Sequence, residues 1–286
     1  MKFGLASPNS DYGVEPAPMA CDLEERGYDS LWLGEHSNIP VSRETAPPGG
    51  GELRQGYWHI RDLFVSLAAA ATVTTKLQLV TGVCLVLEHE VLDLAKSVAT
   101  LDQLSGGRLK LGVGVGWNRE EFENVSRVPW PKRYDAMRQT VEAMRKVWGN
   151  EGPVDYDGEW VKFAPCLSYP KTVKPSGPPI LMGCQGPTGL KHVVDYADEW
   201  CPRDARFEDL EIGMRSFRAA VSAAGRDPGT IPLSMFCFSR PTAEMVERYA
   251  ELGVDRMVLC APDTPERHRS FLDRYQTLVD QFSRGG

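Results

Sequence analysis

Two ionisable side chains, Glu35 and His36, stand side by side directly after an apolar run at residues 30–34. The length and composition of that run predict a buried strand, so both side chains lie at its carboxyl end. Histidine is the side chain best suited to proton transfer near neutral pH. The sequence therefore makes Glu35 and His36 candidate catalytic residues. The alternative is a structural pair in an ordinary loop.

A second stretch is unusual in its glycines. From residue 109 to residue 115, apolar residues alternate with Lys110, Gly112 and Gly114, which is the period of a β-strand. Glycine packs nothing, so glycines along one strand face suit a place where a flat ligand lies close to the backbone. We therefore predict a strand that leaves room for a planar cofactor. The alternative is a turn followed by a loosely packed core strand. The G-x-G-x-G spacing does not match the G-x-G-x-x-G of dinucleotide-binding folds.

A third stretch connects a predicted strand at residues 179–183 to a predicted helix. Free backbone N–H groups and the positive end of a helix together form a natural anion site. We expect this turn to bind a phosphate group, and the alternative is an ordinary tight turn. Its residues are Gly183, Cys184, Gln185, Gly186, Pro187 and Thr188.

The elements that must position these residues alternate regularly along the chain. Eight predicted strands are separated by segments with helical periodicity, which indicates a parallel sheet with right-handed crossovers. Eight such units in 286 residues predict one (β/α)₈ TIM barrel that spans residues 1–286, with loop excursions at 38–60 and 150–178. The chemistry of such barrels lies at the carboxyl ends of the strands. The predicted strands are 2–7, 30–34, 77–86, 109–115, 179–183, 199–202, 231–238 and 256–260.

Composition limits the possible partners and the compartment. The formal net charge of −7 and the pI near 5.4 argue against nucleic acid and anionic membranes as partners. The seven cysteines contain no C-x-x-C pair, so free thiols in a reducing cytosol explain them best. Neither a signal peptide nor an apolar run long enough to span a bilayer is evident. We therefore expect a cytoplasmic protein.

Other catalytic motifs are missing from the sequence. The remaining histidines show no ligand spacing with His36, so no metal site is expected. A serine hydrolase has no G-x-S-x-G to support it. Trp58 and Trp117 are candidates for an apolar substrate wall at the barrel mouth, and plain packing is the alternative.

Several of these stretches together resemble the bacterial luciferase-like superfamily, and in particular its coenzyme F420-dependent oxidoreductase branch. The resemblance runs nearly from end to end, and the block at residues 104–117 is its most specific part. The resembling stretches are residues 30–36, 81–83, 95–108, 111–117 and 178–183.

The resemblance implies a barrel that binds a flavin or deazaflavin at its carboxyl-terminal mouth. It implies a non-prolyl cis peptide at Gly82–Val83 against the ring, a phosphate at the 183–188 turn, and His36 as the proton shuttle beside the ring. It also implies a homodimer, for which the helices at 62–75 and 91–104 offer partner surfaces. The implied cofactor-binding residues are His36, Thr81, Gly82, Val83, Gly116, Trp117 and those of the 183–188 turn.

The sequence also departs from the family pattern. Trp117 stands where the sugar-phosphate dehydrogenase of this branch has an acid, and His89-Glu90 stands where the family has His-Pro. The expected function is hydride transfer between coenzyme F420 and an unidentified small organic substrate, over which the loop at 38–57 closes. The alternatives are an FMN-dependent monooxygenase and a non-catalytic protein that binds a flavin or deazaflavin.

Overall fold

The computed structural model describes residues 1–47 and 50–283, and within them the strands form a parallel barrel with a separate hairpin. Apolar side chains line both faces of the barrel strands, as the short apolar runs of the sequence predict. The strands are β1 Lys2–Ser7, β2 Ser30–Leu33, β3 Gln78–Thr81, β4 Cys84–Leu85, β5 Leu109–Gly114, β6 Val154–Asp157, β7 Lys162–Cys166, β8 Ile180–Met182, β9 Glu199–Trp200, β10 Ser234–Cys237 and β11 Arg256–Cys260.

Eight of these strands close into a ring. Neighbouring strands follow the order β10-β11-β1-β2-β3-β5-β8-β9, and every pair in this path is parallel. Isolated parallel bridges from Trp200 to Leu233 and from Arg203 to Phe236 join the two ends of the path. The (β/α)₈ barrel predicted from the alternation of strands and helices is therefore confirmed.

Helices cover the outside of the barrel, and their apolar faces pack against the strands in one continuous core. Apolar periodicity predicts all of them except α4, which is short and carries few apolar residues. No helix in the described part of the chain is long and apolar enough to span a membrane. The helices are α1 Pro16–Glu25, α2 Leu63–Val73, α3 Val91–Leu104, α4 Arg119–Val125, α5 Arg133–Gly149, α6 Pro187–Tyr196, α7 Leu210–Ala223, α8 Ala243–Glu251 and α9 Pro265–Ser283.

Both predicted excursions are present. Strands β6 and β7 form an antiparallel hairpin within residues 150–178. Within residues 38–60 the chain forms a short 3₁₀ turn at Gln55–His59, while residues 48 and 49 lie outside the described part. This loop is fastened to α4, because Glu120 accepts hydrogen bonds from the backbone of Glu44 and Thr45.

Side chains fill the barrel interior from the amino ends of the strands toward their carboxyl ends. At the bottom, Lys110 and Arg256 both pair with the buried Glu199, at 2.5 and 3.0 Å. Above them lies an apolar layer that contains Trp32, and Phe236 packs edge-on against its ring. Phe236 is only partly buried, so the mouth of the barrel begins above it.

The third barrel strand contains one extra residue. Strand β3 pairs with β5 at Val80 and Lys110, and β4 pairs with β5 at Cys84 and Val113. The chain thus advances four residues on one side for three on the other, which is the geometry of a bulge. The peptide bond between Gly82 and Val83 within this bulge is cis, as the resemblance implies.

The glycines of β5 accommodate this bulge. A β-carbon at Gly112 would overlap the carbonyl oxygen of Thr81, and one at Gly114 would lie 2.6 Å from Cγ2 of Val83. The Thr81 hydroxyl donates a hydrogen bond to the Gly112 carbonyl at 2.8 Å. The glycine face was expected to receive a flat ligand directly, and that interpretation was wrong for Gly112 and Gly114, because their missing side chains make room for the neighbouring strand.

We predict that Gly112→Ala lowers the free energy of unfolding by about 1–3 kcal/mol, because the added methyl group must displace the Thr81 backbone. Denaturant unfolding of the purified variant measures this. Gly152→Ala is the matched control, since open space surrounds that position. Equal stability of Gly112→Ala and the unaltered chain would contradict the close approach of the two strands.

Candidate functional site

His36 is hydrogen-bonded to an acid that sequence reasoning missed. Its Nδ1 atom lies 2.9 and 2.7 Å from the two carboxylate oxygens of Glu121. The side chain of Glu121 is 1% exposed and that of His36 is 9% exposed. A carboxylate accepts hydrogen bonds, so Nδ1 carries the proton that binds Glu121. Within the described residues, no partner is bound to the other ring nitrogen, Nε2, so this atom is available to exchange a proton with a ligand.

Helix α4 delivers Glu121 to this position. The chain leaves β5 through Gly116, whose φ of +72° favours glycine. Asn118 then caps α4 by accepting a hydrogen bond from the Glu121 N–H at 3.3 Å. The acid therefore comes from the first turn of a helix rather than from position 117. The Asn-x-x-Glu spacing after the glycine strand is the signal that could have found it.

Two aromatic rings surround His36. The ring centroids of Tyr57 and Trp117 lie 5.2 and 5.8 Å from that of His36, and 5.9 Å from each other. Trp117, predicted from sequence as a cofactor or substrate contact, thus lies beside the candidate proton-transfer residue. Tyr57 belongs to the same cluster and was not predicted. Trp58 is 48% exposed and contacts the ring of His59 instead.

Glu35 points away from the His36–Glu121 pair. One of its oxygens accepts a hydrogen bond from the Leu85 N–H at 2.7 Å, and the other lies 2.9 Å from Nε2 of His89. Burial and the charge of Glu35 raise the pKa of the adjacent Cys84 thiol well above its ordinary value. These contacts hold the start of β4 in place. They favour a structural role for Glu35 over the catalytic role proposed from sequence.

Glu88 is a further acidic residue beside the pair. Ser37 donates a hydrogen bond to its carboxylate at 2.6 Å. Burial, followed by the negative charges of Glu121 and Glu35, raises the pKa of Glu88 to about 7. Two neighbouring carboxyl groups resist ionising together, so Glu88 keeps its proton to higher pH than an ordinary glutamate.

Glycines leave the backbone without side chains at the ends of three adjacent strands. Gly34 follows β2, Gly82 follows β3 and Gly116 follows β5. A β-carbon at Gly82 would contact Trp32 and Phe236, which top the barrel interior, and one at Gly34 would contact the Gly82 carbonyl. Thr81 is buried and Val83 packs toward Gly114, so these two shape the bulge.

The predicted phosphate turn opens helix α6. Gly186 is its N-cap and has open space around it. Within the described residues, no acceptor pairs with the N–H groups of Thr188 or Gly189. Cys184 instead packs against Gly189 inside the fold.

Gln185 ties this turn to the end of the next strand. Its side-chain amide donates to the Arg203 carbonyl and accepts from the Arg203 N–H, each at 3.0 Å. The turn and the segment after β9 are therefore held as one unit at the mouth.

Comparison with known proteins identifies the family of this chain. The profile of the family described as luciferase-like monooxygenase matches residues 15–282. The chain belongs to the luciferase-like monooxygenase family.

Relatives of this luciferase-like chain have differing descriptions. An uncharacterized protein of Mycobacterium tuberculosis (strain ATCC 25618 / H37Rv) is 38% identical over 92% of this chain and 93% of its own length. A 5,10-methylenetetrahydromethanopterin reductase of Methanolobus tindarius is 27% identical over 94% of this chain and 75% of its own length. A solved structure of a coenzyme F420 dependent tetrahydromethanopterin reductase from Methanopyrus kandleri has a TM-score of 0.72 at 18% identity, covering 99% of this chain and 97% of its own. That last likeness concerns the fold.

The residues present fit the flavin or deazaflavin that this luciferase-like family implies. Gly34, Gly82 and Gly116 present backbone without side chains at three adjacent strand ends, and Gly34 lies two residues before His36. The free N–H groups at the start of α6 suit the phosphate that both cofactors carry.

We predict that the free energy of unfolding of Glu88→Gln, relative to that of the unaltered chain, increases as pH rises. Between pH 4.5 and about 7 the folded chain retains a proton on Glu88 that the unfolded chain has released, so stability is lost through this window. Glutamine does not ionise and avoids that loss, which we expect to be on the order of 1 kcal/mol because the side chain keeps some contact with water.

Denaturant unfolding at pH 5 and pH 8 tests this expectation. Glu247→Gln, at an exposed position, is the matched control and should show no such pH dependence. A stability difference between Glu88→Gln and the unaltered chain that is equal at both pH values would contradict the assignment.

Proposed function

We propose that this chain transfers a hydride between coenzyme F420 and a small organic substrate, with His36 exchanging the accompanying proton. The observation that carries the proposal is the pairing of His36 Nδ1 with Glu121 beside bare backbone at the barrel mouth. The sequence relatives described as 5,10-methylenetetrahydromethanopterin reductases support a reduction or oxidation of this kind.

The chain's own residues have defined tasks in this reaction. When bound, the deazaflavin supplies the carbon that gives or takes the hydride. Glu121 fixes the ring orientation and tautomer of His36, so that Nε2 can accept a proton from an alcohol as its hydride leaves, or return one in the reverse direction. The Tyr57 and Trp117 rings exclude water from the neighbourhood of that nitrogen.

The cofactor prediction is tested by titrating the purified chain separately with F420 and with FMN. We expect saturable binding of F420, with FMN bound at least about tenfold more weakly, a difference of 1.4 kcal/mol. Tight binding of FMN without binding of F420 would overturn the F420 assignment. Oxygen consumption with reduced FMN would then support the monooxygenase named by the family description. Tight retention of F420 with no acceptor able to oxidise its reduced form would support a non-catalytic binding protein.

The proton-transfer role is tested by two variants at the pair. On any substrate that oxidises reduced F420, His36→Asn should lower kcat by about 10²- to 10⁴-fold. Glu121→Gln keeps the shape of the acid but removes its charge and replaces one of the two acceptor oxygens near Nδ1 by a donor, so it should also lower kcat, with KM little changed.

The control at this site is Glu35→Gln, which alters the neighbouring acid that is engaged with Leu85 and His89. Its effect on kcat in folded protein should be much smaller than that of Glu121→Gln. Full activity in His36→Asn would exclude His36 as the proton-transfer residue. An unchanged kcat in Glu121→Gln would exclude the orienting role of Glu121.

A further inference from the structure

Arg203 lies at the carboxyl end of the barrel with its side chain directed toward the mouth. Its backbone forms a parallel bridge with Phe236 of β10. Residues paired in register project to the same face of a sheet, and the Phe236 ring faces the barrel interior against Trp32. The double hydrogen bond of the Arg203 backbone to Gln185 fixes this position.

The guanidinium of Arg203 is half-buried and carries an unbalanced charge. Among residues 1–47 and 50–283, no carboxylate pairs with it and no acceptor takes a hydrogen bond from it. Burial, followed by the positive charge of Arg206, lowers its pKa, while Tyr57 acts in the opposite direction. A half-buried charge with no protein partner is available to pair with an anionic ligand.

Asp204, the acid next to Arg203 in sequence, binds other partners. Asp204 accepts hydrogen bonds from the backbone N–H groups of Phe238 and Ser239, at 3.0 and 3.3 Å. These contacts turn its carboxylate toward the end of β10. Asp204 therefore does not pair with the Arg203 guanidinium.

We infer that Arg203 binds an anionic group of the substrate, a carboxylate or a phosphate, at the mouth of the barrel. Arginine offers a planar fork of donors that matches either anion. This inference rests on the proposed function for the reaction and adds the class of substrate, namely an alcohol or carbonyl compound that bears an anionic group.

Two observations assign the anion to the substrate rather than to the cofactor. Arg203 shares a sheet face with Phe236, and a β-carbon at Gly82 would lie 3.5 Å from the Phe236 ring, which places Arg203 on the same side of the mouth as the Gly82 backbone. The phosphate of the cofactor has its own donors in the free N–H groups of Thr188 and Gly189.

Inorganic phosphate is the probe that tests the site without knowledge of the substrate. Calorimetric titration is carried out on the chain alone and on the chain saturated with F420. We expect saturable binding of phosphate in both states. It should weaken by about ten- to one hundredfold in Arg203→Met, in keeping with the loss of a charged hydrogen bond. Arg203→Lys should retain part of the affinity.

Arg215→Met removes the same charge at an exposed position and is the matched control. Its affinity for phosphate should equal that of the unaltered chain. Equal phosphate affinity in Arg203→Met, or no phosphate binding at all, would overturn the inference.

A second comparison separates the substrate from the cofactor as the source of the anion. F420 and its riboside analogue, which lacks the phosphate and the acidic tail, are each titrated into Arg203→Met. We expect both to bind as they do to the unaltered chain. Selective loss of F420 affinity in Arg203→Met, or loss of the Arg203-dependent phosphate binding on saturation with F420, would assign Arg203 to the cofactor and overturn the inference. Phosphate binding that depends on Arg203 in a chain that fails to bind F420 would refute the proposed function alone.

Discussion

The close approach of two neighbouring strands is the constraint on which the site depends. The Thr81 carbonyl and the Val83 side chain occupy the space that side chains at Gly112 and Gly114 would fill. This packing admits an extra residue into the third strand and sets the backbone of Gly82 over Trp32 and Phe236. Beside it, Gly34 follows β2 and His36 lies at the same rim. The Gly82 backbone and the His36 side chain are therefore placed at the ends of neighbouring strands.

The acidic side chains at the barrel mouth each have different partners. Glu35 holds β4 through Leu85 and His89, while Glu121 holds His36. Burial and these two negative charges keep Glu88 protonated to higher pH than an ordinary glutamate. The cost of a second charge beside Glu121 is thus reduced. The acids at the mouth are distinguished by what each one touches.

The sequence predicts the fold and the position of His36 well, because both depend on local patterns. Alternation of strands and helices predicts the barrel, and an apolar run followed by His36 predicts a side chain at the strand end. Glu121 and Tyr57 are not predictable from local patterns, because Glu121 lies on a short helix and Tyr57 lies in a loop without periodicity. The function of Gly112 also escapes it, since periodicity identifies a glycine face without indicating which neighbour occupies the space.

The central claim is that a deazaflavin lies on the bare backbone at the mouth with His36 at its edge. A crystal structure of the chain with F420 bound tests this most directly. The account predicts that the ring contacts the Gly82–Val83 backbone, that Nε2 of His36 faces the reacting edge, and that Nδ1 keeps its contact with Glu121. A ring bound elsewhere, or a His36 side chain turned away from a ring at the mouth, would contradict it.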